Sequence, residues 1–266
     1  MRFTSRSRRL APRRLSAAPA TTYGGAVQAT SRTSIGRVLL GIAIAAFGVE
    51  DLVAGDFLPG LQPAPAGLPA RAALAYLTGA ILLGAALGLI ANRRAQAAAR
   101  VVTAVMALSL VALFAPILIA APRNGGAWTG AFEVIAIASA AARLGFPARP
   151  ALGRIGFAIS LPVFGLLHFV YVDYVASVIP RWLPAHVFWA YATGVAHLAG
   201  GAALLTGIQA RLAAILLAVM FGTWVVILHL PRALAALDHR AEWCSLFVAL
   251  AMCAGSVLLV NDRSAT

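Results

Sequence analysis

Residues 69–91, PARAALAYLTGAILLGAALGLIA, and residues 184–206, PAHVFWAYATGVAHLAGGAALLT, are two versions of one apolar helix. Each opens on a proline and carries the same Tyr-x-Thr-Gly core, Tyr76 to Gly79 in one and Tyr191 to Gly194 in the other. At 1.5 Å per residue, each is long enough to cross ~30 Å of hydrocarbon. The correspondence runs outward from there. Upstream, Ile35-Gly36-Arg37 matches Leu152-Gly153-Arg154, and Phe47-Gly48 matches Phe164-Gly165. Downstream, Pro122-Arg123 aligns with Pro231-Arg232 and Glu133 with Glu242. A repeat of this kind fixes the architecture before any single residue is interpreted. The chain divides into a basic N-terminal tail, 1–34, a first unit, 35–146, and a second, 150–261.

The composition names the solvent of these units. The chain is 61% hydrophobic and 11% charged, against about 45–50% and about 25% in ordinary soluble domains. Its mean hydropathy is +0.88. Eight apolar segments follow the tail, at 37–56, 72–91, 101–121, 127–146, 154–173, 187–207, 211–230 and 241–260. Lipid leaves open backbone groups unsatisfied, so these segments are read as helices. The fold class is all-α: a polytopic membrane protein with eight transmembrane helices, arranged as two tandem four-helix bundles. Four is even, so both bundles begin on one face and lie in parallel orientation. Pro116 and Pro162 fall inside spans and predict kinks.

The net charge of +13 comes from arginine alone. No basic stretch is interleaved with stacking aromatics, which argues against nucleic acid and for a lipid bilayer as partner. Five arginines, Arg71, Arg123, Arg181, Arg232 and Arg240, lie at one end of the spans. The remaining sixteen lie at the other end or in the tail, so the positive-inside rule places both termini in the cytoplasm. Tyr76, Trp128, Tyr171, Tyr174, Trp182, Trp189, Tyr191 and Trp243 form an aromatic belt at the outer end. The tail is Arg- and Ser-rich and free of acids, which reads as a disordered segment or a transit peptide. Cys244 and Cys253 lack CxxC spacing and read as small buried apolar residues.

Ionisable residues inside spans are costly, so each is informative. Asp51 and His168 are repeat twins, each ~21 Å above its inner-end arginine by helical rise. Glu133 and Glu242 read as acids near helix N-termini, where the backbone N–H groups favour negative charge. His197 is different, because its twin is Leu82 and the fold therefore does not require a polar group there. It shares a helix face with Thr193, Gly200 and Gly201, so it points into protein. His229 also has an apolar counterpart region. The expected ligand site is therefore His168, His197, His229 and Glu242, in the outer half of the second bundle, with Asp51 as the first copy's polar residue. The Pro180-x-Trp182-x-Pro184 loop reads as a lid above it. Histidines on separate helices without diagnostic spacing give little support to a b-type haem, and no metal set is assigned. No nucleophile elbow, phosphate loop or other catalytic motif is present, so no catalytic residue is assigned.

The run Ala190-Tyr191-x-Thr193-Gly194, Gly200-Gly201-x-x-Leu204-Leu205-x-Gly207 and Arg211-Leu212-Ala213-Ala214, preceded by Phe164-Gly165-x-x-His168, resembles the DoxX-like family of four-helix integral membrane proteins. The match covers the second copy and, more loosely, the first, where Arg100-Val-Val-Thr stands in the turn. The resemblance implies a bacterial inner-membrane protein accessory to a redox or quinone-linked process, with a membrane or periplasmic redox protein as partner. The chain departs from the family at His197, where the pattern has Glu. Two other readings remain: a non-catalytic assembly or partner-binding protein, and a small-molecule transporter.

Overall fold

The computed structural model describes residues 21–260, and those residues form helices without a strand among them. In chain order they are α1 (Thr21–Ala54), α2 (Arg71–Ile90), α3 (Ala95–Ala120), α4 (Gly125–Gly145), α5 (Pro150–Val170), the short α6 (Val172–Val178), α7 (His186–Thr206), α8 (Ala210–Ala235) and α9 (Arg240–Leu259). Seven of these, α2 to α5 and α7 to α9, are long and apolar enough to cross a membrane. Most of the basic tail, residues 1–20, lies outside the described residues, whereas 21–34 belong to α1.

The duplication is visible in local structure. A constant offset carries Ala70 to Ala185 and Arg94 to Gln209, all four with left-handed backbone at helix starts. Arg37 Nη1 donates to the carbonyls of Leu89 and Ile90 at the end of α2. Its twin Arg154 does the same to Leu204 and Leu205 at the end of α7, at 2.6 and 3.4 Å. Each guanidinium satisfies carbonyls that a helix end leaves open. Trp128 Nε1 donates to the Pro122 carbonyl (2.9 Å) and Trp243 Nε1 to that of Leu237 (3.0 Å).

The same offset pairs two π-helical turns, Leu110–Phe114 in α3 and Val225–His229 in α8. In each the N–H after the turn reaches back five residues, Ala115 to Leu110 and Leu230 to Val225. Pro116 and Pro231 follow these turns. Proline lacks the donor a regular helix needs and crowds the carbonyl four residues back, and a widened turn relieves that crowding. Two sequence expectations change here. Pro116 is the twin of Pro231, and α8 runs on past Pro231 to Ala235. Glu133 is the twin of Val248, not of Glu242. The Pro-Arg dipeptides at 122 and 231 invite a slipped alignment, whereas the tryptophans keep the true one.

Packing also departs from two self-contained bundles. Each copy packs in the order first, second, third, fourth helix: α1–α2–α3–α4 and α5–α7–α8–α9. The fourth helix of each copy then packs on the first helix of the other, α4 on α5 and α9 on α1, while α1 barely meets α4. The eight long helices thus close a ring, with α4 and α9 touching across its middle. The reason lies in α4 and α9, which present small or apolar side chains on more than one side and are buried accordingly. Gly36, where the apolar part of α1 begins about midway along the helix, lies against Leu258 near the end of α9, so that apolar part and the last helix begin and finish at one end of the ring.

Glycine pairs set the tightest contacts. A methyl group at Gly165 would come within 2.8 Å of the Gly194 carbonyl oxygen, and one at Gly48 within 2.7 Å of the Gly79 carbonyl. Gly84 has nothing within 4 Å. We therefore expect Gly165→Ala to cost about 1–2 kcal/mol by forcing α5 and α7 apart. Gly84→Ala is expected to be neutral or mildly stabilising. Thermal unfolding of the two variants in detergent compares them, and equal melting temperatures would contradict the packing.

Candidate functional site

The two copies treat the same internal space differently. In the first copy the connection after α1 folds back inward. Phe57, Leu58, Leu61 and Gln62 are buried, and Gly60 sits between Cys244 of α9 and Gly130 of α4. Around it Leu82, Met106 and Phe114 are closely packed. In the second copy the corresponding connection forms α6, which stays at the rim, and the space below it is open. It is a cavity of about 610 Å³, within the size range of ligand pockets. Thr129 of α4 and Ser245 of α9, the twins of Cys244 and Gly130, stand in its wall.

His168, His197, His229 and Glu242, four residues of the expected ligand site, all line this cavity. Asp51 does not. It occupies the twin position of His168 in the filled copy, fully buried, and neither carboxylate oxygen makes a hydrogen bond of good geometry with a described residue. An acid left this way is expensive, so its place is held by surrounding structure.

The histidine pair has a definite polarity. The rings of His168 and His197 lie 5.0 Å apart, tilted by 39°. Gly194 makes this approach possible, since a side chain there would meet the His168 Cβ at 3.1 Å. Each ring places Nδ1 2.8 Å from the carbonyl one turn back on its own helix, His168 on Phe164 and His197 on Thr193. A carbonyl only accepts, so each Nδ1 carries the hydrogen, and in the neutral ring each Nε2 is then a bare lone pair. Neither Nε2 makes a hydrogen bond with a described residue. His197 is also clamped edge-on by Phe164 (5.9 Å) and Phe221 (5.4 Å), which fixes its ring in an apolar frame.

The acids divide differently from the sequence expectation. Glu242 is in the first turn of α9 and is held by Arg232 in a two-pronged ion pair, Nε at 2.9 Å and Nη2 at 2.5 Å. It is therefore committed to a partner. Glu133 lies two turns inside α4, beyond the reach of the helix-start reading. It lines the cavity and makes no hydrogen bond or ion pair with a described residue. The sequence signal for this role was the Trp-x-x-x-Phe of Trp128/Phe132 and Trp243/Phe247, stacked alike in both copies, which dissociates the two glutamates.

The cap is also placed differently. Tyr171, Tyr174, Val175, Val178 and Ile179 of α6 and its flanks cover the cavity. Trp182 in the proline-flanked loop is largely exposed. His239 stands at the rim, and His186 begins α7 with Nε2 donating to the Pro180 carbonyl at 3.1 Å. Cys244 is buried, Cys253 is half-buried, and both are free thiols. Among the described residues no three His, Cys, Asp or Glu side chains gather in a metal-holding group.

Residues 157–261 match the profile of a domain of unknown function (DUF8561). That segment runs from α5 to the end of α9 and contains every histidine of the cavity. No curated protein and no solved structure matches the chain.

Proposed function

We propose that the chain is a multi-pass protein of the bacterial inner membrane that binds a quinol-type ligand in the cavity of its second copy. In this reading α1 is an eighth crossing and the two four-helix copies lie in parallel, with both termini in the cytoplasm. The contact of Gly36, where the apolar stretch of α1 begins, with Leu258 near the end of α9 supports an even number of crossings, and the arginine bias supports the sidedness. The similarity to DoxX-like proteins supports a role accessory to quinone-linked redox chemistry, with a membrane or periplasmic redox protein as partner.

One observation carries the ligand class. Two imidazoles present adjacent lone pairs in an otherwise largely apolar chamber among helices long and apolar enough to cross a membrane. Lone pairs there call for hydrogen-bond donors on the ligand, and an aromatic diol supplies them on a flat apolar ring. An oxidised quinone offers only carbonyl oxygens, which meet those lone pairs unfavourably. We expect saturable binding of a short-chain benzoquinol to the purified protein in lipid nanodiscs, about tenfold tighter than the matching quinone, by calorimetry under anaerobic conditions. Absence of saturable quinol binding, or preference for the quinone, would overturn the reading. A stable co-purifying membrane protein together with an empty cavity would favour the assembly role instead.

A further inference from the structure

We propose that the ligand of this cavity is an amphiphile whose long apolar tail lies in a groove between α7 and α8. The inference rests on the cavity as the site of the polar head. The groove is a second space of about 520 Å³ on the flank of the helix pair. Ala192, Ala196, Ala199 and Ala203 floor it on α7, and Leu216 and Met220 line it on α8. It adjoins the cavity directly, because Thr193 and Trp224 stand in the walls of both. A head hydrogen-bonded to His197 therefore lies one turn of α7 from Thr193, where the two spaces share a wall. The Thr193 hydroxyl is already turned into its own helix, donating to the Trp189 carbonyl at 2.7 Å, and so adds no polar demand at the junction. From Thr193 to Ala203 the groove follows α7 for ~15 Å, about half the thickness of the hydrocarbon core. Chain chemistry matches this shape: a prenyl or acyl tail is narrow, apolar and long, and needs no partner for hydrogen bonds.

The first copy supplies the contrast. At the twins of Ala192 and Ala196 it carries Leu77 and Ile81, both exposed on the outside of α2. The copy with a filled interior has bulky residues on the upper half of this flank, with Gly84 and Gly88 at the twins of Ala199 and Ala203, whereas the copy with an open interior has alanine at all four places. The two differences coincide in one half of the molecule.

Quinols of identical head group, one with a short alkyl chain and one with a long prenyl tail, test the assignment in nanodiscs. The variant carries Ala192→Leu and Ala196→Ile, the residues that the first copy already accepts at those places. For each ligand the ratio of variant to wild-type Kd is read, which cancels partitioning into lipid. The expected result is at least a tenfold loss for the tailed quinol and no change for the short one. Unchanged or equally weakened binding of both ligands would overturn the tail assignment while leaving the head site standing. Failure of wild type to bind either ligand would remove the head site, and the tail with it. Thermal unfolding checks that the variant is folded. Should it not be, the single change Ala196→Ile is read the same way.

Discussion

His197→Leu is expected to weaken quinol binding by on the order of ten- to a hundredfold and to leave the fold intact. The magnitude follows from an unmet hydrogen bond. A hydroxyl that loses its acceptor in a desolvated chamber costs about 1–3 kcal/mol, and each 1.4 kcal/mol is a factor of ten in Kd. The fold is expected to hold because the first copy already packs a leucine there: Leu82 is fully buried at the twin position. Relieving a buried imidazole of its apolar frame is expected to keep the melting temperature level or raise it. His197→Gln, which can present an amide oxygen to the same ligand hydroxyl, should recover part of the affinity. Calorimetric titration with the short-chain quinol separates the cases. A variant that unfolds, or one that binds as tightly as the wild type, would show that His197 is scaffold.

Arg232→Leu is expected to lower stability by about 1–3 kcal/mol. Glu242 is only 18% exposed and would lose both prongs of its ion pair. Arg232 is 38% exposed, so the solvent it already meets moderates the loss below that of a fully buried pair. Removing the second charge as well, in Arg232→Leu with Glu242→Leu, should restore most of the melting temperature, because the cost lies in the stranded carboxylate and not in the missing attraction. Thermal unfolding of the two single variants and the double variant forms the cycle. Additive losses would show that the two side chains act independently. The cycle also bears on function, since it asks whether Glu242 is spoken for by Arg232, leaving Glu133 as the uncommitted acid of the chamber.

The sequence made much of this legible, and for a physical reason. Helices in lipid must be long and apolar, so they stand out by composition: seven of the eight segments coincide with helices apolar enough to cross a membrane, and those read at 72–91, 127–146 and 241–260 fall within a residue or two of α2, α4 and α9. The repeat made His197 conspicuous because leucine at 82 shows what the fold alone requires. The residues His168, His197, His229 and Glu242 were read as one site, and they line one cavity. Three things were not legible. The exchange of partners between fourth and first helices depends on side-chain packing between the copies, which leaves no periodic mark. The role of Glu133 was hidden because a chance Pro-Arg dipeptide slipped the alignment by several residues just before it. The filling of the first copy by Phe57 to Gln62 depends on how a proline-rich loop turns inward, and apolar character alone does not say which way a loop folds.

A structure of the protein with a tailed quinol bound in nanodiscs tests the central claim most directly. The account predicts density for the ring beneath α6, with hydroxyl oxygens about 3 Å from Nε2 of His168 or His197, and the tail running between α7 and α8. Ligand seated elsewhere while the chamber holds only packed side chains, or those two imidazoles turned toward the acyl chains, would contradict it.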